Sequence, residues 1–129
     1  MSRKPYIRPI PKTSWYMRDG RYKRYMLREV TCVFIGAYTG VLTMGLLRLS
    51  QGKEAYEAFL QAMNTPSAIV FHILALLFAV YHSTTWFNVT PQAMPIMKGD
   101  DFLPGKVIVT AHYAGWAVVS LFILLVVGI

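Results

Sequence analysis

Three long segments without a charged residue constrain the fold of this chain more than any other feature of its sequence. They comprise residues 30–47, 58–97 and 107–129. An α-helix needs about 20 largely apolar residues to cross the hydrocarbon core of a bilayer, and each segment comes close to that number or exceeds it. Backbone polar groups in lipid must be satisfied within the chain, so helices are expected. The sequence therefore predicts an all-α membrane protein with three transmembrane helices.

Prolines and charged residues set the bounds of the predicted helices. Pro66 and Pro91 lie inside the second uncharged segment, and because proline disfavours the helix interior, that helix is expected over about residues 68–89. Glu29 and Lys106 precede the other two segments. We expect a basic N-terminal arm, residues 1–28, followed by a membrane domain, residues 29–129, with helices over about 29–49, 68–89 and 107–129.

The composition excludes an ordinary soluble domain. The chain is 55% hydrophobic and only 15% charged, whereas soluble domains are about 45–50% apolar and about 25% charged. A single cysteine, Cys32, excludes a disulfide framework or a thiolate metal cluster built from this chain alone. The net charge of +7 does not indicate nucleic-acid binding, because nine of the thirteen basic residues precede the first predicted helix: Arg3, Lys4, Arg8, Lys12, Arg18, Arg21, Lys23, Arg24 and Arg28.

The remaining basic residues predict the topology. Arg48 and Lys53 lie in the first connection, and Lys98 and Lys106 lie in the second. Cytoplasmic segments carry the excess of Lys and Arg, so the N-terminus and the second connection are expected in the cytoplasm and the C-terminus in the periplasm. The basic segment is too long for the start of a signal peptide, and no cleavage site follows it, so it is expected to be retained.

Five ionisable residues in or beside the predicted spans are candidate functional residues, because such groups are costly in lipid. Arg28 and Glu29 open the first predicted helix, and His82 and His112 fall in the same, cytoplasmic leaflet. His72 falls in the outer half of the membrane. The predicted topology thus gathers four of the five in one leaflet.

Glu29 has two interpretations. An acid at a helix start can serve only to favour the helix dipole and to pair with a neighbouring base, here Arg28. Alternatively, a carboxylate at the membrane edge, where water can deliver and remove protons, can act as a proton acceptor. The residue type does not decide between these two roles.

His82 and Trp86 are four residues apart and therefore share a helix face. They could be a packing histidine and a tryptophan of the interfacial belt. An indole to stack on and an imidazole to hydrogen-bond are also what a site for an aromatic head group requires. His112 and Trp116 repeat the spacing, and we interpret them mainly as packing and belt residues.

Small residues four apart predict that the helices pack closely against others. Gly36 and Gly40 form such a pair in the first predicted helix, and Ala111 and Gly115 form one in the third. Because three helices make a poor closed bundle, partner helices are expected.

Three ordered motifs give the chain a resemblance to a known family. KPYIRP (residues 4–9), RYMLRE (residues 24–29) and HSTTWF (residues 82–87), combined with three spans, resemble the C subunit of the four-subunit bacterial quinol:fumarate reductase. The resemblance covers essentially the whole chain, although the first connection and the third helix match only in length and hydrophobicity.

The resemblance implies a membrane anchor in the bacterial inner membrane. With a second three-helix anchor, the D subunit, it would hold a flavoprotein subunit and an iron-sulfur subunit on the cytoplasmic face. Menaquinol would be oxidised near that face, with FAD and the iron-sulfur clusters on the partner subunits only. By motif, Glu29 would accept a quinol proton, Arg28 would help poise that acid, and His82 and Trp86 would line the quinone pocket.

Three alternatives remain open. Related succinate dehydrogenase anchors hold haem b between histidines, and His82 and His112 could ligate iron, although the resemblance implies no haem. A small proton-coupled transporter would also have a membrane glutamate, but usually four spans and weak charge asymmetry. A passive anchor would use its basic arm only to bind anionic lipid.

Overall fold

The computed structural model describes residues 9–128 and confirms a helical protein with three long apolar helices. The first eight residues, which include most of the KPYIRP motif, and Ile129 lie outside this range. Helices α1 (Gly20–Ser50), α3 (Pro66–Ala93) and α4 (Gly105–Val127) are each long and apolar enough to cross a membrane. Within residues 9–128 the elements are, in chain order, a 3₁₀-helix Trp15–Arg18, α1 Gly20–Ser50, α2 Lys53–Met63, α3 Pro66–Ala93, β1 Met97–Lys98, β2 Asp101–Phe102 and α4 Gly105–Val127.

Helix α1 begins at Gly20, nine residues before the predicted start at Glu29. The prediction used the uncharged segment, which marks where a helix can enter lipid and not where the helix itself begins. Residues 20–28 contain Arg, Lys, Leu and Met, which favour helix, and no proline. The last nine residues of the predicted arm, residues 20–28, are therefore part of α1.

The other helix bounds differ less, but one helix was not predicted. Helix α2 occupies eleven residues of the first connection. Helix α3 starts at Pro66, a position in the first turn where proline is tolerated because no intrahelical N–H bond is lost. It continues through Pro91 to Ala93, so the predicted end at residue 89 was four residues early. Helix α4 begins at Gly105, two residues before the predicted start.

Asp19 caps the N-terminus of α1. Its Oδ1 accepts the backbone N–H of Arg21 at 2.7 Å, which satisfies one of the donors that a helix start leaves unpaired. This backbone hydrogen bond, with the Arg21 side chain, lowers the pKa of the Asp19 carboxyl. The cap fixes where α1 begins.

Contacts divide the chain into two units, residues 1–65 and residues 66–129, which are described separately. In the first unit, Trp15 of the 3₁₀-helix packs edge-on against Tyr22 of α1, with ring centroids 5.4 Å apart. Gly52, between α1 and α2, has a φ of 111°, a conformation that side chains rarely adopt. This turn lets α2 lie against α1, where a Cβ on Gly45 would come within 3.0 Å of the Phe59 ring.

In the second unit, a short hairpin joins α3 to α4. Strands β1 and β2 pair antiparallel, and Leu103 donates its backbone N–H to the Ile96 carbonyl at 2.8 Å. The first residue of α4 then lies close to the end of α3, because a Cβ on Gly105 would be 3.1 Å from the Pro91 Cβ. Glycine at this position therefore allows α3 and α4 to approach closely.

Most apolar side chains of the described residues are exposed. Ala75 and Ile108 are the only buried hydrophobic residues among them, whereas Val33 and Leu125 expose 70% and 76% of their surface. Exposing this much apolar surface to water would cost about 25 cal/mol for each Å². These helices are therefore suited to surroundings of lipid and other helices rather than water.

We expect the Asp19 cap to depend on pH in a defined direction. Because the folded-state pKa of Asp19 lies below its ordinary value of about 4, its carboxylate stabilises the start of α1 fully above that value. The contribution is lost as the pH falls through the lowered pKa. Hydrogen exchange at the Arg21 and Lys23 amides should accelerate several-fold on acidification, beyond the intrinsic change, in the chain in detergent.

Asp19→Asn is the matched control, because its side chain still caps but does not titrate. Its amide protection should be insensitive to pH, whereas Asp19→Ala should lose protection at every pH. Equal protection in Asp19→Ala and in the unsubstituted chain would contradict this role.

Gly45→Val is expected to disturb the packing of α2 on α1. The added methyl groups meet the Phe59 ring, and overpacking of this kind costs about 1–3 kcal/mol. The free energy of unfolding can be measured by detergent titration followed by circular dichroism. Gly36→Val is the control, because a Cβ there meets nothing within 4 Å, and adding Phe59→Ala should remove most of the Gly45→Val penalty. Equal costs at the two glycines would refute the contact.

Candidate functional site

The four predicted site residues lie in pairs in the two units. Arg28 and Glu29 are in α1, in the unit of residues 1–65, and His82 and Trp86 are in α3, in the unit of residues 66–129. Each pair has its own local surroundings.

Glu29 lies well inside α1. It follows Gly20 by nine residues, which is about 14 Å of helix, and the dipole effect is confined to the first turn. The interpretation of Glu29 as an acid that opens the helix and favours its dipole is therefore wrong. Glu29 forms no ion pair within residues 9–128, and adjacent residues such as Arg28 and Glu29 do not face each other on a helix.

Side chains one turn after Arg28 bond to its backbone carbonyl. The Thr31 hydroxyl donates to the Arg28 carbonyl oxygen, and the Cys32 sulfur lies 3.8 Å from the same oxygen. Thr31 is fully buried, Arg28 is half-buried and Glu29 is exposed. Glu29 is thus accessible, and of these three residues only Thr31 is fully packed. Sequence reasoning missed Thr31, because a threonine in an apolar segment carries no signal of its own.

His82 and Trp86 share one face of α3, as their spacing predicts. Their ring centroids are 6.2 Å apart, with an angle of 53° between the planes. His82 is half-buried, and Trp86 keeps 39% of its surface exposed. The neighbouring Thr85 hydroxyl lies 2.8 Å from the Tyr81 carbonyl oxygen and 3.0 Å from that of His82. The hydroxyl is therefore directed to the helix backbone, and the two rings form the aromatic surface of this face.

Helix α4 packs against the residues that follow Trp86. The Phe87 ring lies 5.2 Å from that of Tyr113, 5.4 Å from that of His112 and 6.0 Å from that of Trp116, between centroids. These contacts agree with the interpretation of His112 and Trp116 as packing residues. They also hold α4 against α3 at Phe87, the residue after Trp86.

A hydrogen bond between Asn88 and Tyr113 joins the same two helices. The Asn88 amide nitrogen donates to the Tyr113 hydroxyl at 3.1 Å and to the Thr84 carbonyl at 2.7 Å. Sequence reasoning missed this pair, because the two residues are far apart in the chain and only the α3–α4 packing brings them together. The bond holds the rotation of α3 relative to α4 within this unit.

His112 has a defined tautomer in the neutral state. Its Nδ1 lies 2.8 Å from the Ile108 carbonyl oxygen, and since a carbonyl only accepts, Nδ1 carries the proton. Among the described residues, no three His, Cys, Asp or Glu side chains are grouped so as to hold a metal ion.

The imidazole and indole rings of His82 and Trp86, on one face of α3, suit contact with a planar aromatic ligand. Indole and imidazole rings on one helix face can stack on such a ligand and hydrogen-bond to its oxygens. An accessible carboxylate at the start of the apolar part of α1 can accept a proton.

Comparison with known proteins identifies the family of this chain. The family model described as the C subunit of fumarate reductase matches residues 1–128. A relative from Photobacterium profundum, named as the same fumarate reductase component, is 40% identical over 98% of both chains, and one from Vibrio cholerae is 37% identical over the same shares. A relative of the same name from Mycobacterium tuberculosis is 33% identical over 92% of this chain and 93% of its own. The chain belongs to the family of fumarate reductase C subunits.

Proposed function

We propose that this chain is a membrane anchor of a quinol:fumarate reductase in the bacterial inner membrane and that it contributes residues to the menaquinol oxidation site. The observation that carries the proposal is the family match over residues 1–128, in a chain whose three long helices are apolar enough to cross a membrane. Its partners would be the flavoprotein subunit, the iron-sulfur subunit and the second hydrophobic anchor.

Charge supports an orientation with the N-terminus in the cytoplasm. Nine of the thirteen basic residues precede the apolar part of α1, and two more, Lys98 and Lys106, lie in or beside the β1–β2 hairpin, so eleven fall in the segments that this orientation places in the cytoplasm, as the positive-inside rule requires. Because α1 begins at Gly20, about 14 Å of helix precedes Glu29. This basic extension, with the exposed rings of Tyr22 and Tyr25, would offer the soluble subunits a rigid surface.

The chemistry of the proposed site follows from the two residue pairs. A bound menaquinol supplies two electrons and two protons when it is oxidised. Glu29, as an exposed carboxylate at the membrane edge, would accept one proton and release it to the cytoplasm, and the second proton would leave to the water at the same membrane edge. His82 would hydrogen-bond a quinol oxygen, and Trp86 would stack on the ring. The positive charge of Arg28, next to Glu29 in the chain, would help poise the acid through space, without an ion pair.

Electrons would leave this chain for its partners. They would pass through the iron-sulfur subunit to FAD on the flavoprotein, where fumarate takes up two electrons and two protons to give succinate. The proposal assigns no haem to this chain. A Soret band in the purified complex that disappears on replacing His82 or His112 would overturn that assignment.

Glu29→Gln is expected to lower quinol-driven fumarate reduction by about 100-fold, because a general base contributes about 10²–10⁴-fold to proton transfer. Fumarate reduction driven by reduced benzyl viologen, a soluble donor that bypasses the quinol site, should be unchanged. Both rates are measured on the purified complex.

Glu54→Gln is the matched control, since it makes the same change in the short helix α2 and should leave both activities intact. Equal loss of both activities in Glu29→Gln would show that Glu29 serves assembly. Unchanged turnover would support a passive anchor.

His82→Phe keeps an aromatic ring but removes its hydrogen-bonding nitrogens, so we expect KM for menaquinol to rise by about tenfold, the loss of one good hydrogen bond. His72→Phe is the control, ten residues earlier in α3 and about 15 Å away along its axis. Steady-state kinetics with a menaquinol analogue separate KM from kcat. The same KM in both variants would remove His82 from the site.

A further inference from the structure

We propose that the cleft between α1 and α2 binds an anionic phospholipid, with the lipid phosphate at Arg48 and an acyl chain along the cleft. This cleft lies within the unit of residues 1–65 and is separate from Glu29 and His82. The proposal does not depend on the quinol chemistry above.

The cleft has the size and lining of a site for a hydrocarbon chain. Its volume is about 670 Å³, within the range of about 300–1,000 Å³ typical of small-molecule sites. Arg48 is the only charged residue among those that line it, and the rest are small or apolar: Ala37, Gly40, Val41, Met44, Ala55, Ala58, Phe59, Ala62 and Met63.

Helix α2 runs antiparallel to the second half of α1. The turn at Gly52 brings the start of α2 beside the end of α1, and Phe59 in the middle of α2 lies against Gly45. The end of α2 at Met63 lines the cleft together with Gly40. The cleft therefore extends along α1 from Arg48 toward the middle of the apolar segment, as a lipid does from its head group.

The charges of α2 lie at the Arg48 end and away from the cleft. Lys53, Glu54 and Glu57 are in its first five residues, and its last six carry no charge. Lys53 and Glu57 form an exposed ion pair of 3.7 Å, and neither they nor Glu54 line the cleft. No carboxylate in the lining therefore opposes an anion, and the helix becomes apolar where it passes deeper along α1.

Arg48, near the end of α1, is the lining residue that could bind a phosphate. Its Nη1 donates to the Gln51 side-chain oxygen at 3.0 Å. This bond restrains the guanidinium near the turn and leaves its other N–H groups for a ligand. Guanidinium groups bind phosphate oxygens through two parallel hydrogen bonds. A basic group at the end of a long apolar helix also lies at the depth of lipid head groups. Charge and hydrophobicity therefore both favour an anionic phospholipid.

The test is lipid retention and rebinding by the purified complex. Bound lipids are counted by native mass spectrometry after purification in mild detergent. Dioleoylphosphatidylglycerol and dioleoylphosphatidylcholine are then titrated into delipidated protein, and inorganic phosphate is tested as a competitor. We expect the unsubstituted complex to prefer the anionic lipid and Arg48→Gln to bind it at least about fivefold more weakly, the effect of one basic group at a membrane surface.

Matched variants distinguish a specific lipid site from non-specific electrostatic attraction of anionic lipid to the protein surface. Lys53→Gln makes the same change in charge outside the cleft and should retain the lipid, as should Arg48→Lys. Ala58→Phe fills the cleft and should release the lipid with Arg48 present. Circular dichroism checks that each variant is folded. If Ala58→Phe does not fold, the comparison of Arg48→Gln with Lys53→Gln still decides whether lipid binding depends on Arg48.

Four results would overturn the proposal. The first two are that Arg48→Gln binds the anionic lipid as tightly as the unsubstituted complex does, and that Arg48→Gln and Lys53→Gln lose the same lipid affinity. The third is that inorganic phosphate displaces the lipid completely. The fourth is that a protein helix or a neutral hydrophobic molecule occupies the cleft in place of the anionic lipid.

Discussion

The structure depends on the need to satisfy every polar group that lies in an apolar environment. Helix formation satisfies the backbone N–H and C=O groups. Threonine hydroxyls on the helices are satisfied by hydrogen bonds to carbonyls of their own helix. Thr39 donates to the Ile35 carbonyl at 2.9 Å, and Thr84 donates to the Val80 carbonyl at 2.8 Å. Bonds of this kind neutralise a hydroxyl without a partner helix. The groups that remain for chemistry are consequently few, which is why single residues such as Glu29 and His82 can be singled out.

The three long helices could be predicted because charge-free segments and bilayer thickness are linked by simple geometry. Their ends could not be predicted equally well. The start of α1 depends on the Asp19 cap and on the helix-favouring residues after it, and neither belongs to a charge-free segment. Helix α2 was missed because eleven residues containing Lys53, Glu54 and Glu57 look like an exposed connection until Phe59 is seen against Gly45.

The candidate site was predictable in part. The four-residue spacing of His82 and Trp86 placed them on one face, which the structure confirms, and the family resemblance drawn from three motifs is confirmed by the match over residues 1–128. That match also favours the anchor over the transporter alternative. The contact between Asn88 and Tyr113 was out of reach, because it joins helices whose relative rotation no local pattern specifies.

The continuity of α1 from Gly20 to Ser50 has a mechanical consequence. Thirty-one residues make a rod of about 46 Å, longer than the roughly 30 Å hydrocarbon core, and no proline interrupts it. Glu29 and Arg48 are 19 residues apart on this one helix, which is about 28 Å along its axis, so the acid and the base lie near opposite ends of the span. A change in the tilt of α1 would therefore alter the surroundings of both residues, one at each end of the span.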